Sequence, residues 1–199
     1  VQNWKAAIRT FGLALAKDKS DYEALTLRGL EQIFRGFDRE AMIDFREALK
    51  ISPRYEPAYL GIEKIYLRKN NKYELRMLYI DMIEVLGERA DYITKLCEVY
   101  WSNGLFEDAK KTCRRGIYLS PQDPRNYLAL AASLRDTGNP TEALKIYKET
   151  ANNFPKSEEA QMSYARYLDL EKNYVDSVKF YQRAVAINGK SYEALRGLA

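Results

Sequence analysis

Cys97 and Cys113 are the residues whose type and spacing most invite chemistry. They are the only two cysteines, and the chain has no histidine. A pair of thiols can close a disulfide, act as a redox switch or bind a soft metal. Two thiols alone fall short of a metal-ligand set, and no imidazole is present to complete one. The commoner use of cysteine is as a small buried apolar filler, so two reduced thiols are the expectation here. The lack of histidine removes His-based triads. No phosphate loop, nucleophile elbow or metal signature occurs. The chain is therefore read as non-enzymatic, with no catalytic residue, no metal site and no cofactor.

The elements that must carry these residues are helical. In LFEDAKKTCRRGIYL the small and apolar residues Leu105, Ala109, Cys113 and Ile117 recur at steps of four. Alternating β-branched runs and Asn-Gly hairpin turns are absent. No apolar run approaches the roughly 20 residues of a membrane helix, so membrane insertion is not expected. The chain begins at Val1 without a methionine, so a targeting segment could precede it; cytoplasmic is the expected setting. The 32 basic and 28 acidic residues divide evenly before and after Arg89. Interspersed charge describes solvated helix faces better than a phosphate-binding stripe, which argues against a nucleic-acid partner.

The word YEAL at Tyr22 returns at Tyr192, five steps of 34 residues later. Rows of 34 beginning at Tyr22, Glu56, Ala90, Pro124 and Glu158 align without a gap. Row position 24 reads Phe45, Tyr79, Cys113, Tyr147 and Tyr181, in four of five rows a large aromatic that fills the space between helix pairs. Position 8 reads Gly29, Glu63, Cys97, Ala131 and Ala165, mostly small residues that let two helices approach. Position 15 reads Gly36, Asn70, Gly104, Gly138 and Lys172; four of the five suit a left-handed helix C-cap. Position 32 is Pro or Gly in every row and ends the second helix. Cys97 and Cys113 thus fall at positions 8 and 24 of one row, on two facing helices.

This pattern resembles the tetratricopeptide repeat, TPR, a helix–turn–helix of 34 residues. The rows YEALTLRGLEQIFRGFDREAMIDFREALKISP and ADYITKLCEVYWSNGLFEDAKKTCRRGIYLSP carry the resemblance best. It implies an all-α, right-handed superhelical TPR solenoid of antiparallel helix pairs, one domain over residues 1–199. Partial repeats at 1–21 and 192–199 suggest a piece of a longer solenoid. The resemblance also implies that the first helix of each pair lines a concave groove. The partner-binding candidates are then Leu27, Leu30, Phe34, Leu60, Lys64, Leu67, Arg68, Lys95, Glu98, Trp101, Arg135 and Arg166. Arg28 and Gln32 stand where the family has large apolar residues. Helix rotation could therefore turn Leu27, Leu30 and Phe34 into the core instead. The Lys and Asn pair of the carboxylate clamp in chaperone-adaptor TPR domains is missing from positions 5 and 9 of every row.

The expected function is a protein-interaction scaffold that binds an amphipathic or extended segment of a protein or peptide with apolar anchors and some acidic character. A helical-repeat RNA-binding module is the alternative from another class, although the groove shows no regular polar code. A targeting module of a larger enzyme is a third reading. Uncapped solenoid ends also leave self-association open.

Overall fold

Helical apolar spacing translates into twelve α-helices and no strand among the described residues of the computed structural model, which describes the backbone of residues 4–198 and side chains from residue 10. The helices are α1 (Trp4–Lys17), α2 (Tyr22–Phe34), α3 (Asp38–Ile51), α4 (Glu56–Arg68), α5 (Lys72–Leu86), α6 (Ala90–Ser102), α7 (Phe106–Leu119), α8 (Pro124–Asp136), α9 (Pro140–Asn153), α10 (Glu158–Leu170), α11 (Tyr174–Ile187) and α12 (Tyr192–Gly197). The even-numbered helices begin at the residues that open the rows. The fold class is the all-α TPR solenoid expected from the sequence. Contacts gather the chain into two compact units, Val1–Glu88 and Arg89–Ala199.

Each row ends its first helix in the same way. Gly36, Asn70, Gly104, Gly138 and Lys172 all have positive φ, between +50° and +82°. The amide that follows each of them bonds back to the carbonyl of Gln32, Tyr66, Tyr100, Leu134 or Leu168, at 2.9–3.0 Å. This six-to-one bond caps orphan carbonyls and aims the chain into the second helix. Lys172, the departure noted at position 15, adopts the same conformation as the glycines. Several helix starts are capped by side chains: Asp21 accepts from the Ala24 amide at 2.8 Å, and Ser157 from Ala160 at 3.2 Å.

In the first unit, Phe45 of α3 is fully buried against Gly29 of α2 and Gly61 of α4. A Cβ on Gly29 would stand 2.7 Å from the ring, so glycine is required by close approach. The first three rows also carry a bond between a residue of the first helix and the residue sixteen positions later on the second. Arg28 binds Asp44 through two hydrogen bonds, Nε to Oδ2 at 2.7 Å and Nη2 to Oδ1 at 2.6 Å. Tyr79 donates to Glu63 Oε1 at 2.6 Å in a buried setting. Cys97 and Cys113 are joined as a disulfide, with Cα atoms 5.1 Å apart. That last link corrects the expectation of two reduced thiols: positions 8 and 24 bring the backbones within disulfide span. The bonds of Arg28 and Glu63 also explain two misfits in the rows, since each polar side chain has a dedicated partner.

In the second unit a core cluster runs through α6–α10 and includes the disulfide, Ala109, Leu128, Ala131, Ala143, Tyr147 and Tyr167. Fully buried Asn126 packs over Gly116 and donates to Thr94 Oγ1 at 2.8 Å. In three rows the side chain at position 4 bonds back to a carbonyl at or near the end of the preceding helix. Tyr127 donates to the Pro121 carbonyl at 3.2 Å, and Gln161 to the Ala151 carbonyl at 2.6 Å. In the first unit Tyr59 does the same with Pro53, at 3.1 Å.

Candidate interaction surfaces

In the unit Val1–Glu88 the twist of α2 is fixed by its buried stripe, Ala24, Leu25, Thr26 and Gly29. Because Arg28 reaches Asp44, α2 keeps this face inward without rotating. Leu27 and Phe34 are consequently left outside, 48% and 85% exposed. Leu30 is half-buried beside them. On α4, Leu67 is 56% exposed and Leu60 half-buried. Arg68 Nη1 donates to the Ile33 carbonyl at 3.0 Å and its guanidinium pairs with Asp38. These bonds hold the Leu67–Arg68 end of α4 against the Ile33–Phe34 end of α2. Arg68 is therefore a structural tie here, while Lys64 stands exposed.

In the unit Arg89–Ala199, Trp101, Arg135 and Arg166 among the candidate residues are engaged by carboxylates. Trp101 is 36% exposed, and its indole nitrogen donates to Asp136 Oδ2 at 3.1 Å. Arg135 Nε donates to the other oxygen of Asp136 at 2.7 Å. Burial pushes the Asp136 carboxyl up, but these two bonds outweigh it and hold the group below the ordinary carboxylate range. Arg166 pairs with Glu193 of α12 beside a hollow of about 540 Å³ lined by Ser157, Glu159, Met162 and Ser163. Lys95 and Glu98 are half-buried on α6. Burial raises the Glu98 carboxyl to about 7, opposed by the nearby charge of Arg125 and reinforced by Glu159 and Asp123. Arg125 itself is engaged by Asp123, Nη2 to Oδ2 at 2.6 Å.

The structure thus separates the twelve candidates by chemistry. Leu27, Leu30, Phe34, Leu60, Lys64, Leu67 and Arg68 belong to one unit and form a mainly apolar set. Lys95, Glu98, Trp101, Arg135 and Arg166 belong to the other and form a set that is charged apart from the indole of Trp101. The candidate set from the sequence leaves out Asp38, Asp136 and Glu193, the carboxylates that engage Arg68, Arg135 and Arg166. Residues 35 apart at the ends of successive first helices, such as Ile33 with Arg68 and Trp101 with Asp136, gave the available signal. No group of three or more His, Cys, Asp or Glu side chains among the described residues is placed to hold a metal ion. Among them, too, no helix is long and apolar enough to cross a membrane.

Comparison with known proteins places these features in a family. Residues 90–123 and 128–192 each match a family model described as tetratricopeptide repeat. Anaphase-promoting complex subunit 7 from Homo sapiens is 28% identical over 99 residues, 50% of this chain and 18% of that protein. BBSome complex member BBS4 from Bos taurus is 24% identical over 181 residues, 90% of this chain and 34% of that protein. The chain spans well under half the length of the curated relatives it matches. Among solved structures, yeast Tom70 superposes with a TM-score of 0.73 at 17% identity, over 98% of this chain and 42% of that one. PilW, a type IV pilus biogenesis factor, gives 0.71 at 17% identity over 100% and 92%. YrrB, described as a TPR protein with an unusual peptide-binding site, gives 0.65 at 18% identity over 94% and 96%. At these identities the structural likeness is one of fold.

Proposed function

This chain is a tetratricopeptide-repeat protein, and on that premise we propose that its unit Val1–Glu88 holds an extended or amphipathic segment of a partner protein against the outer face of α2 and α4. Repeats of this family serve as protein-interaction scaffolds. The observation that carries the reading is the exposure of Leu27, Phe34 and Leu67 on first-helix positions. Solvent-facing helix positions are normally polar, and an apolar set of this kind is a surface waiting to be covered. Leu30 and Leu60 form its half-buried floor, and Lys64 supplies a cation at its rim. A segment with apolar anchors spaced along it and an acidic flank complements that arrangement. In the other unit, the pairing of Arg135 and Arg166 with carboxylates reduces their value as anion clamps.

The test is site-directed photo-crosslinking with a benzophenone side chain at Phe34, followed by mapping of the cross-linked partner peptide. The expected result is a discrete protein segment bearing apolar residues and an acidic flank. In the Phe34→Asp, Leu67→Asp double variant, its affinity should fall at least about tenfold. Both side chains are solvent-exposed, so the double variant should keep its helical circular dichroism. Undiminished binding by the folded double variant, or cross-links only to RNA, would overturn the reading.

A further inference from the structure

Phe45, Tyr79, Tyr147 and Tyr181 fill position 24 in four of the five complete rows, and all four are buried. The row from Ala90 has Cys113 there, a side chain far smaller than an aromatic ring. Protein interiors are close-packed, and a vacancy of that size between helices is destabilising. A cysteine side chain, oxidised or reduced, restores little of that ring volume, so this row must hold its helix pair by something other than ring packing. The three links at a separation of sixteen give the alternative. Where an ion pair joins Arg28 to Asp44 and a hydrogen bond joins Tyr79 to Glu63, the third row has a covalent bond from α6 to α7. Both sulfur-bearing residues are fully buried within the cluster formed by Ala109, Leu128, Ala131 and Tyr147.

We infer that Cys97 and Cys113 are an oxidative modification site, closed while the unit Arg89–Ala199 folds, and that the protein matures in an oxidising compartment. Protein thiols in a reducing cytosol stay reduced, whereas structural disulfides form and persist in oxidising settings. The cytoplasmic setting expected from the sequence is at odds with this linkage. The oxidant is a disulfide, either of a thiol–disulfide oxidoreductase or of a low-molecular-weight thiol. One cysteine thiolate attacks that disulfide, forming a mixed disulfide and expelling a thiolate. The second cysteine thiolate then attacks the sulfur of the first and expels the other half of the oxidant. Two protons and two electrons leave the protein, and the oxidant becomes two thiols. The attack needs an open approach to sulfur. Burial of both cysteines denies that approach once α6 and α7 have docked, so exchange belongs to folding and the finished bond is shielded from reductant.

The test counts thiols in the full chain isolated from its own cells, quenched in acid and then alkylated in denaturant. No alkylation before reduction and two modified cysteines after it are expected. Two modified cysteines without reduction would overturn the inference. Purified oxidised protein gives a second measurement. Dithiothreitol should leave the bond intact in buffer and reduce it rapidly once urea is added. Equally fast reduction of the folded protein would overturn the assignment to folding. Chain produced reduced in a bacterial cytosol should melt about 5–10 °C below chain exported to the periplasm. Equal melting temperatures would deny the bond its structural role.

Discussion

Lys172 holds φ +60° at the turn where three other rows have glycine. A residue with a Cβ gives up about 1–2 kcal/mol in that conformation. Lys172→Gly is expected to raise stability by about 1 kcal/mol, and Gly138→Ala to lower it by a similar amount, both read from urea unfolding. A pair of opposite-sign shifts would identify φ as the cause, because neither substitution adds or removes a buried contact. Glu98 makes a second residue-level prediction. Its carboxyl is raised to about 7 from the ordinary 4.5, mainly by burial. The folded state therefore binds the proton more tightly than the unfolded chain. Its contribution is full below about pH 4.5 and is lost as the pH climbs to about 7, above which a desolvated carboxylate must be tolerated. From this group alone, stability should drop across that window by at most about 3 kcal/mol. Glu98→Gln should remove the drop, which unfolding midpoints at matched ionic strength would read.

At the scale of elements, α2, α3 and α4 meet around one ring. Gly61→Ala would drive a methyl group into Phe45, at a cost of roughly 1–3 kcal/mol. The Arg28–Asp44 link predicts a different pattern. Arg28→Ala leaves a nearly buried carboxylate unpaired and should cost about 3 kcal/mol, while replacing both residues by leucine should cost much less. Thermal or urea melts of the single and double variants separate the two cases. These elements also indicate what could be read beforehand. Helix starts and turns were legible because each repeats in every row, so the small and left-handed positions reinforce one another. The direction of α2 was not legible, since Arg28 reads as a misfit until Asp44 is seen to face it. Glu63 was obscure for the same reason, its partner Tyr79 lying one helix away. The cysteines were legible as a pair on facing helices, but the general tendency of cysteine to serve as buried filler outweighed that placement, and the row alone does not give the 5.1 Å between their backbones. Exposure of Phe34 depends on which side α2 turns outward, a rotation that a linear pattern leaves open.

At the scale of the whole molecule, the two units have unlike surfaces. Among the candidate residues, one unit exposes Leu27, Phe34 and Leu67, while the other ties Arg135 and Arg166 into ion pairs with Asp136 and Glu193. The segment Gly87–Arg89 between α5 and α6 is exposed and non-helical, with Gly87 at φ +99°. Exposed backbone of this kind is a preferred site of proteolytic nicking. Brief digestion with trypsin is expected to cut after Arg89 first, giving fragments of 1–89 and 90–199 by mass spectrometry. Earlier cleavage inside a helix would count against this boundary. The bond between Cys97 and Cys113 has a mechanical consequence as well. If the chain is pulled from its two ends, it lengthens by the contour of whatever unravels. The loop closed over a separation of 16 residues is withheld from that extension. At the fully extended reach of the backbone it amounts to about 50 Å. A single molecule stretched to its limit should therefore stop short by that distance, and recover it when a reductant reaches the opened unit.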